Sequence, residues 1–258
     1  INFEALDLSS AATLDVELMT GSTISSLTLS GGAGGATVSN VAAATGLSVT
    51  GNNTGTTTIG LKSTSGTSDS YTVTFAGTTG TVAAGTVKTD GVETVNVVSN
   101  GSTGTNTITI DGSTLKTVNA SGSKALTLNF AATADTAPGT GVAAGVSAID
   151  GSAATGVLTI NTTNVQAAAA GLTVTGGSAN DVITLAGKAT VVGGAGNDTI
   201  TTAAAGGTLT GGAGNDKFDV AASVATGNTA ATAVNVTITD FAVGDSVKLL
   251  AGNTLAGA

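Results

Sequence analysis

Three aspartates, Asp181, Asp198 and Asp216, each close a glycine-rich segment, seventeen and then eighteen positions apart. The segments are Gly176-Gly177-Ser178-Ala179-Asn180-Asp181, Gly193-Gly194-Ala195-Gly196-Asn197-Asp198 and Gly211-Gly212-Ala213-Gly214-Asn215-Asp216. Glycine lets the backbone take positive φ and turn its carbonyl oxygens inward, and one carboxylate per segment adds the full charge that favours a dication. Two residues past each aspartate stands a large apolar residue, Ile183, Ile200 or Phe218, expected to point into a core at the start of a short strand. Such an interval is one turn of a coil made of two nine-residue halves, which stacks equivalent loops at the strand spacing of about 4.8 Å. A calcium ion, with oxygen ligands at about 2.3–2.6 Å, fits between two such loops and draws ligands from both. Three loops on one edge then make two sites, one between the Asp181 and Asp198 loops and one between the Asp198 and Asp216 loops. The blander alternative is a tight turn whose aspartate caps backbone N–H groups. That suffices for one such loop but leaves three in register unexplained.

Composition narrows the chemistry in the same direction. Sixteen acidic residues face seven lysines and no arginine, for a net charge of −9. Phosphate contact needs a basic surface, so nucleic acid is excluded as a partner. The chain has no cysteine and no histidine, which removes thiol nucleophiles, disulfides, zinc and haem ligation, and every triad with an imidazole base. Oxygen-ligated hard cations remain, chiefly calcium. No run of eighteen apolar residues occurs, so no membrane span is expected, and residues 1–10 lack the basic start of a cleavable signal. Beginning at Ile1, the chain reads as a fragment or a processed product.

The elements that hold the loops are legible in the same inventory. With 39 glycines and 2% aromatic residues, bulky side chains are too few for a thick core, whereas Val, Ile, Leu and Thr on short strands make a thin one. Alternating runs recur at Val95–Val97, Thr107–Ile110, Leu126–Phe130, Leu158–Asn161 and Leu172–Thr175, separated by turn dipeptides such as Asn100-Gly101 and Asp111-Gly112. GVETVNVVSNG, STLKTVNASG and GVSAIDGSAATGVLTIN read as loose copies of one coil. The expected fold is all-β, a right-handed parallel β-solenoid or β-roll, with an antiparallel sandwich as the competitor. Its expected parts are an irregular solenoid over 1–170, a metal-binding roll over 171–220 and a C-terminal β cap over 221–258. Within the cap, residues 221–233 read as a loop before a last strand pair, Val234–Thr239 and Ser246–Leu250. Residues 165–171 (VQAAAAG) are the best helical stretch. The glycine skeleton at 31–38 has Ala36 where an aspartate would stand, so no metal is expected there. Nor is any expected at the half-turns opposite the three loops, which lack aspartate.

The three segments match the nonapeptide G-G-x-G-x-D-x-U-x, with U a large apolar residue, and on that ground the chain resembles the repeats-in-toxin (RTX) proteins. The motif covers 176–219, about a sixth of the chain. Beyond it, the Thr, Ala, Gly and Val texture is similar to RTX-type bacterial surface-layer proteins, and ITDFAVGDSVKLL (238–250) to the coil found after the repeats in secreted members. The resemblance implies a β-roll that folds on meeting external calcium, type I secretion without an N-terminal signal, and self-association at the cell surface, with surface polysaccharide as a further partner. Ala179, where the pattern has glycine, departs from it and weakens the first loop. Asp240 and Asp245 have no second loop paired with them by spacing, and a solvated turn explains them equally well. Asp219 either joins a site or faces water.

Catalysis is not expected: Glu4, Glu17, Asp90 and Glu93 lie far apart in sequence and have no Arg or His to work with. The alternative to a surface layer is the stalk or ligand-binding segment of a secreted adhesin. Thr56/Thr58, Thr72/Thr74, Thr107/Thr109, Thr173/Thr175 and Thr208/Thr210 would then form a ladder suited to glycan or ice, although their irregular spacing argues against one.

Overall fold

Short runs of Val, Ile and Leu alternating with Thr, Ser and Asn, punctuated by glycine, favour strands that bury one face each. The computed structural model describes residues 4–21, 23–32, 35–64, 66–101, 103–131, 145–165, 171–203, 205–221 and 236–250. Among these, the strands form two eleven-stranded sheets, and consecutive strands alternate between them. A front sheet runs from Ala5–Asp7 to Val236–Ile238, and a back sheet from Thr13–Asp15 to Ser246–Leu249. Pairing along both sheets is parallel, for example Thr94–Ser99 with Thr117–Gly122 and Asn106–Asp111 with Leu126–Phe130. This is a parallel β-solenoid, and the antiparallel sandwich is set aside. The one helical element among the described residues is the 3-10 turn Val16–Leu18.

All five alternating runs lie in strands. The three loose copies stack as read, Val118 beside Val95 and Ile149 beside Val118. Their period was hidden because successive coils differ in length: the coil between the partners Val118 and Ile149 is nearly twice as long as the one between Val174 and Val191. The partners align from coil to coil although the number of residues between them differs. Both sheets run without interruption past residues 170 and 220. The last two strands are not partners of each other, contrary to expectation: Val236–Ile238 pairs with Gly207–Ala213 and Ser246–Leu249 with Lys217–Val220. They extend the two sheets by one coil. Residues 166–170 of the helical stretch and 222–233 of the expected loop lie outside the described residues.

The core is the narrow space between the sheets. Leu27, Val49, Val73, Val97, Ile108, Leu128, Val174, Ile183, Ile200 and Phe218 are fully buried, each on the inward parity of its strand. Tyr71, Phe75 and Phe130 add bulk along the stack. Burial of each such side chain stabilises by about 1.5–3 kcal/mol relative to exposure.

Outward parity belongs to small polar residues, and here the structure departs from the sequence reading on one point and agrees with it on another. Ladders do form: Thr173, Thr190, Thr208 and Thr237 are successive partners on the front sheet, as are Thr107, Thr127 and Thr159 on the back. Irregular sequence spacing did not prevent them, because partners align although the number of residues between them differs. The five Thr pairs, however, divide between the two sheets, with Thr56/Thr58 and Thr107/Thr109 on the back and the other three pairs on the front.

Candidate metal centre

Each coil turns from the front sheet to the back sheet along one edge, and the three glycine loops are consecutive turns of that edge. Gly194 and Ala195 are register partners of Gly212 and Ala213, and Val182, Thr199 and Lys217, each next after one of the aspartates, stand in one row. Gly194 (φ 118°) and Gly212 (φ 105°) sit in the left-handed region, as do Gly196 and Gly214. A Cβ on Gly194 would collide with the carbonyl oxygen of Gly177, and one on Gly212 with that of Gly194. The coils therefore approach so closely that a carbonyl of one lies over the Cα of the next, which only glycine permits.

Two side-chain ladders knit the loops together. The Asp198 Oδ1 accepts the Asp181 N–H at 2.7 Å, and the Asp216 Oδ1 accepts the Asp198 N–H at 2.9 Å. Running the other way, the Asn180 Oδ1 accepts the Asn197 N–H at 2.7 Å, and the Asn197 Oδ1 accepts the Asn215 N–H at 2.8 Å. The capping role foreseen for a simple turn is thus filled, but by one carboxylate oxygen only. Asp198 and Asp216 are 1% and 2% exposed, and the Oδ2 of each is buried without a hydrogen-bond partner. Buried polar atoms are satisfied in the great majority of cases, and a buried anionic oxygen is the costliest exception.

What surrounds these oxygens is more oxygen. A Cβ on Gly193 would meet the Asp198 Oδ2 and the Gly211 carbonyl together, and one on Gly176 would meet the Asp181 Oδ2 and the Gly193 carbonyl. The space left by each missing side chain is bounded by a carboxylate of one loop and a carbonyl of the next. Among the described residues no three acidic side chains converge on one point. The loops offer instead one carboxylate each plus backbone carbonyls, a donor set that fits calcium. Asn180, Ser178, Asn197 and Asn215 are exposed, so their side chains face away from this space.

The first loop departs from the other two. Neither Gly177 nor Ala179 takes positive φ, and at Ala179 the Cβ itself penalises that region. The Gly177 N–H instead donates to the Asp181 Oδ2, the oxygen left unpartnered in the later loops. Burial pushes the carboxyl of Asp198 up to about 7, and its neighbours Asp181 and Asp216 add to the shift. Asp181 and Asp216 are raised for the same first reason, with Asp245 and Asp240 contributing at Asp216. Without a cation, the column holds negative charge in a place that disfavours it.

Two further members of this edge were not legible from spacing. The Asp240 carboxylate accepts the N–H groups of Gly211 (3.0 Å) and Gly212 (2.8 Å), and the Asp245 Oδ1 accepts the Asp216 N–H at 2.8 Å. The turn that carries them is paired with the Asp216 loop after all; the long interval between Asp216 and Asp245 concealed it. Asn106 stands in the same column, through the partners Leu126 and Leu158, and Leu158 in turn donates its N–H to the Asp181 Oδ1. Its Nδ2 donates to the Ser99 Oγ and the Asn100 carbonyl, so an amide fills the place that a carboxylate holds further along.

The remaining acids lie elsewhere. Asp219 belongs to the back sheet and pairs with the Lys217 Nζ at 2.6 Å. Glu17 pairs with Lys62, Asp90 with Lys88, and the Glu93 Oε2 accepts the Asp69 N–H. No helix among the described residues is long and apolar enough to cross a membrane. Neither a protein-family model nor a curated protein matches the sequence.

Proposed function

We propose that this chain is a structural calcium-binding β-roll of the repeats-in-toxin kind that folds on external calcium and assembles into a layer at a bacterial cell surface. The observation that carries the reading is the pair of buried, unpartnered oxygens, Asp198 Oδ2 and Asp216 Oδ2, the first of them beside the Gly211 carbonyl of the adjacent coil. Bound calcium supplies positive charge between loops whose carboxylates otherwise repel. Extracellular calcium sites bind with Kd of about 10⁻⁴ to 10⁻³ M, so the sites fill outside the cell and stay empty in the cytosol. Coupling of folding to binding then keeps the roll loose until export. A rod of stacked coils with a net charge of −9 repels its copies, and divalent cations relieve that repulsion where rods meet.

The test is a calcium titration of the whole chain with circular dichroism and light scattering as readouts. The reading expects a saturable gain in β signal and thermal stability, reversed by chelator, and a calcium-dependent rise in particle size. An unchanged spectrum and melting temperature across the titration would overturn it. A second reading, a glycan-binding adhesin segment, is favoured by one observation: the registered Thr ladder on the front sheet. Retention on a neutral polysaccharide resin in place of self-assembly would support that reading over the first.

A further inference from the structure

Phe218 is 0% exposed, yet Val247, its register partner in the outermost back-sheet strand, is 43% exposed. At the other end Leu6 and Leu14 are half-buried, whereas their partners Leu27 and Val38 are fully buried. Core columns that are covered along the stack are thus open at its two ends. Six large apolar side chains are exposed among the described residues, and four of them, Leu18, Phe241, Val243 and Val247, belong to the first or last coil. Apolar exposure concentrated in this way marks an interaction surface.

The backbone leaves the same two ends open. Ser246 and Leu250 donate their N–H groups back to the preceding coil, as does Thr239 on the front sheet, so strand alternation turns the polar groups of Val247 and Ile238 off the end. At the other end the Ala12 carbonyl and the Leu8 N–H bond the following coil, which turns the groups of Thr13, Asp15 and Asp7 outward. Laying one end on the other, with Val247 on Leu14 and Ile238 on Leu6, puts core residue on core residue in both sheets. The same placement sets the Asp15 N–H against the Val247 carbonyl and the Asp7 N–H against that of Ile238, the pattern that Thr37 and Ala12 show within the chain.

Charge agrees with this placement. It brings the exposed Lys248, one residue past Val247, beside Asp15, one residue past Leu14. Lys248 takes part in none of the ion pairs formed by the described residues. The turn 239–245, with Asp240 and Asp245, comes against residues 8–12, which are Leu, Ser and Ala only, so no acid meets acid there.

We propose that copies of this chain add head to tail, with Lys248 of one beside Asp15 of the next. The Val236–Ile238 and Ser246–Leu249 edges of one copy pair in parallel with the Ala5–Asp7 and Thr13–Asp15 edges of the next, so both sheets continue across the contact. The two partners use different surfaces, and the contact repeats along the rod to give filaments. This rests on the assembly reading above and names the surface that carries it.

The test follows the whole chain in millimolar calcium by sedimentation velocity, with negative-stain microscopy for shape. The unmodified chain is expected to form filaments one rod wide that lengthen with concentration. Lys248→Glu sets acid against acid and Asp15→Lys sets base against base, so each variant alone is expected to need at least about tenfold more protein to grow. An equimolar mixture of the two is expected to grow like the parent, because contacts between unlike copies again join opposite charges. Circular dichroism checks that each variant keeps its β signal. Where one does not, the Asp15→Cys/Lys248→Cys variant decides: the chain has no cysteine of its own, and oxidation is expected to lock this variant into a ladder of covalent oligomers. Variants that grow like the parent, a mixture that stays small, or absence of the ladder overturns the docking while leaving assembly through another face standing. A chain that folds on calcium but stays monomeric overturns both the docking and the layer, and leaves the calcium-binding roll intact.

Discussion

Replacing Asp198 by Asn separates the cost of its carboxylate from its use. Asparagine keeps an oxygen for the Asp181 N–H, removes a charge flanked by Asp181 and Asp216, and turns a donor toward the Gly211 carbonyl. Asn106 shows the chain already using this arrangement, its amide donating to Ser99 and Asn100. In chelator the variant is therefore more stable than the parent, by the cost of one buried unpartnered group, about 1–3 kcal/mol. In calcium the site between the Asp198 and Asp216 loops is lost. At about 10 mM calcium and Kd of about 10⁻⁴ to 10⁻³ M, one site contributes RT ln(1 + [Ca]/Kd), roughly 1.4–2.7 kcal/mol. For a chain of this size each kcal/mol moves Tm by about 2–4 °C. Melting curves of both proteins, with chelator and with calcium, give the two quantities independently. The expectation is a higher Tm in chelator and a calcium-induced rise smaller by about 3–10 °C. A calcium-induced rise equal to the parent's, or a lower Tm in chelator, would refute the reasoning.

Other perturbations probe the neighbouring links. Gly212→Ala places a methyl group against the Gly194 carbonyl at φ 105° and is expected to lower stability by at least about 1–2 kcal/mol in calcium and chelator alike, measured by urea unfolding. Phe218→Ala opens a cavity at a fully buried position beneath the third loop and is expected to cost about 3–5 kcal/mol in the same assay. The pH response has a definite sign. The carboxyl of Asp198, near 7 when folded and about 3.9 when unfolded, favours the calcium-free fold most below about 3.9, and that contribution is lost as pH rises through about 7. Asp181 and Asp216 shift the same way. Asp245, whose carboxyl is held low by two backbone N–H groups, works in the opposite sense. The chelated protein is expected to melt higher at pH 5 than at pH 8, and the calcium-induced increment to be smaller at pH 5, where protons compete for the same oxygens. Melting curves at the two pH values check both.

The strands were legible because their signal is local. Thr94–Ser99 alternates inward and outward residues strictly, and nothing beyond that window is needed to recognise it. The three glycine loops were legible because nothing is inserted between them, so their interval stays almost constant. The coil across Val118 and Ile149 was not, since the greater number of residues between these partners breaks any fixed period. The same reason hid the role of Asp240 and Asp245, and it misled the expectation about threonine ladders, because pairing depends on where turns end and not on residues counted along the chain. The carboxylate geometry lay beyond sequence altogether. That one oxygen of Asp198 caps a backbone N–H while the other is left unpartnered emerges only when adjacent coils are in place.

Long-wavelength anomalous diffraction from crystals grown in millimolar calcium locates the cations directly. The account predicts peaks between the Asp181 and Asp198 loops and between the Asp198 and Asp216 loops, within ligand distance of the Asp198 Oδ2 and the Gly211 carbonyl for the second. Stacked loops with no peak between them, at calcium concentrations that saturate ordinary extracellular sites, would contradict it.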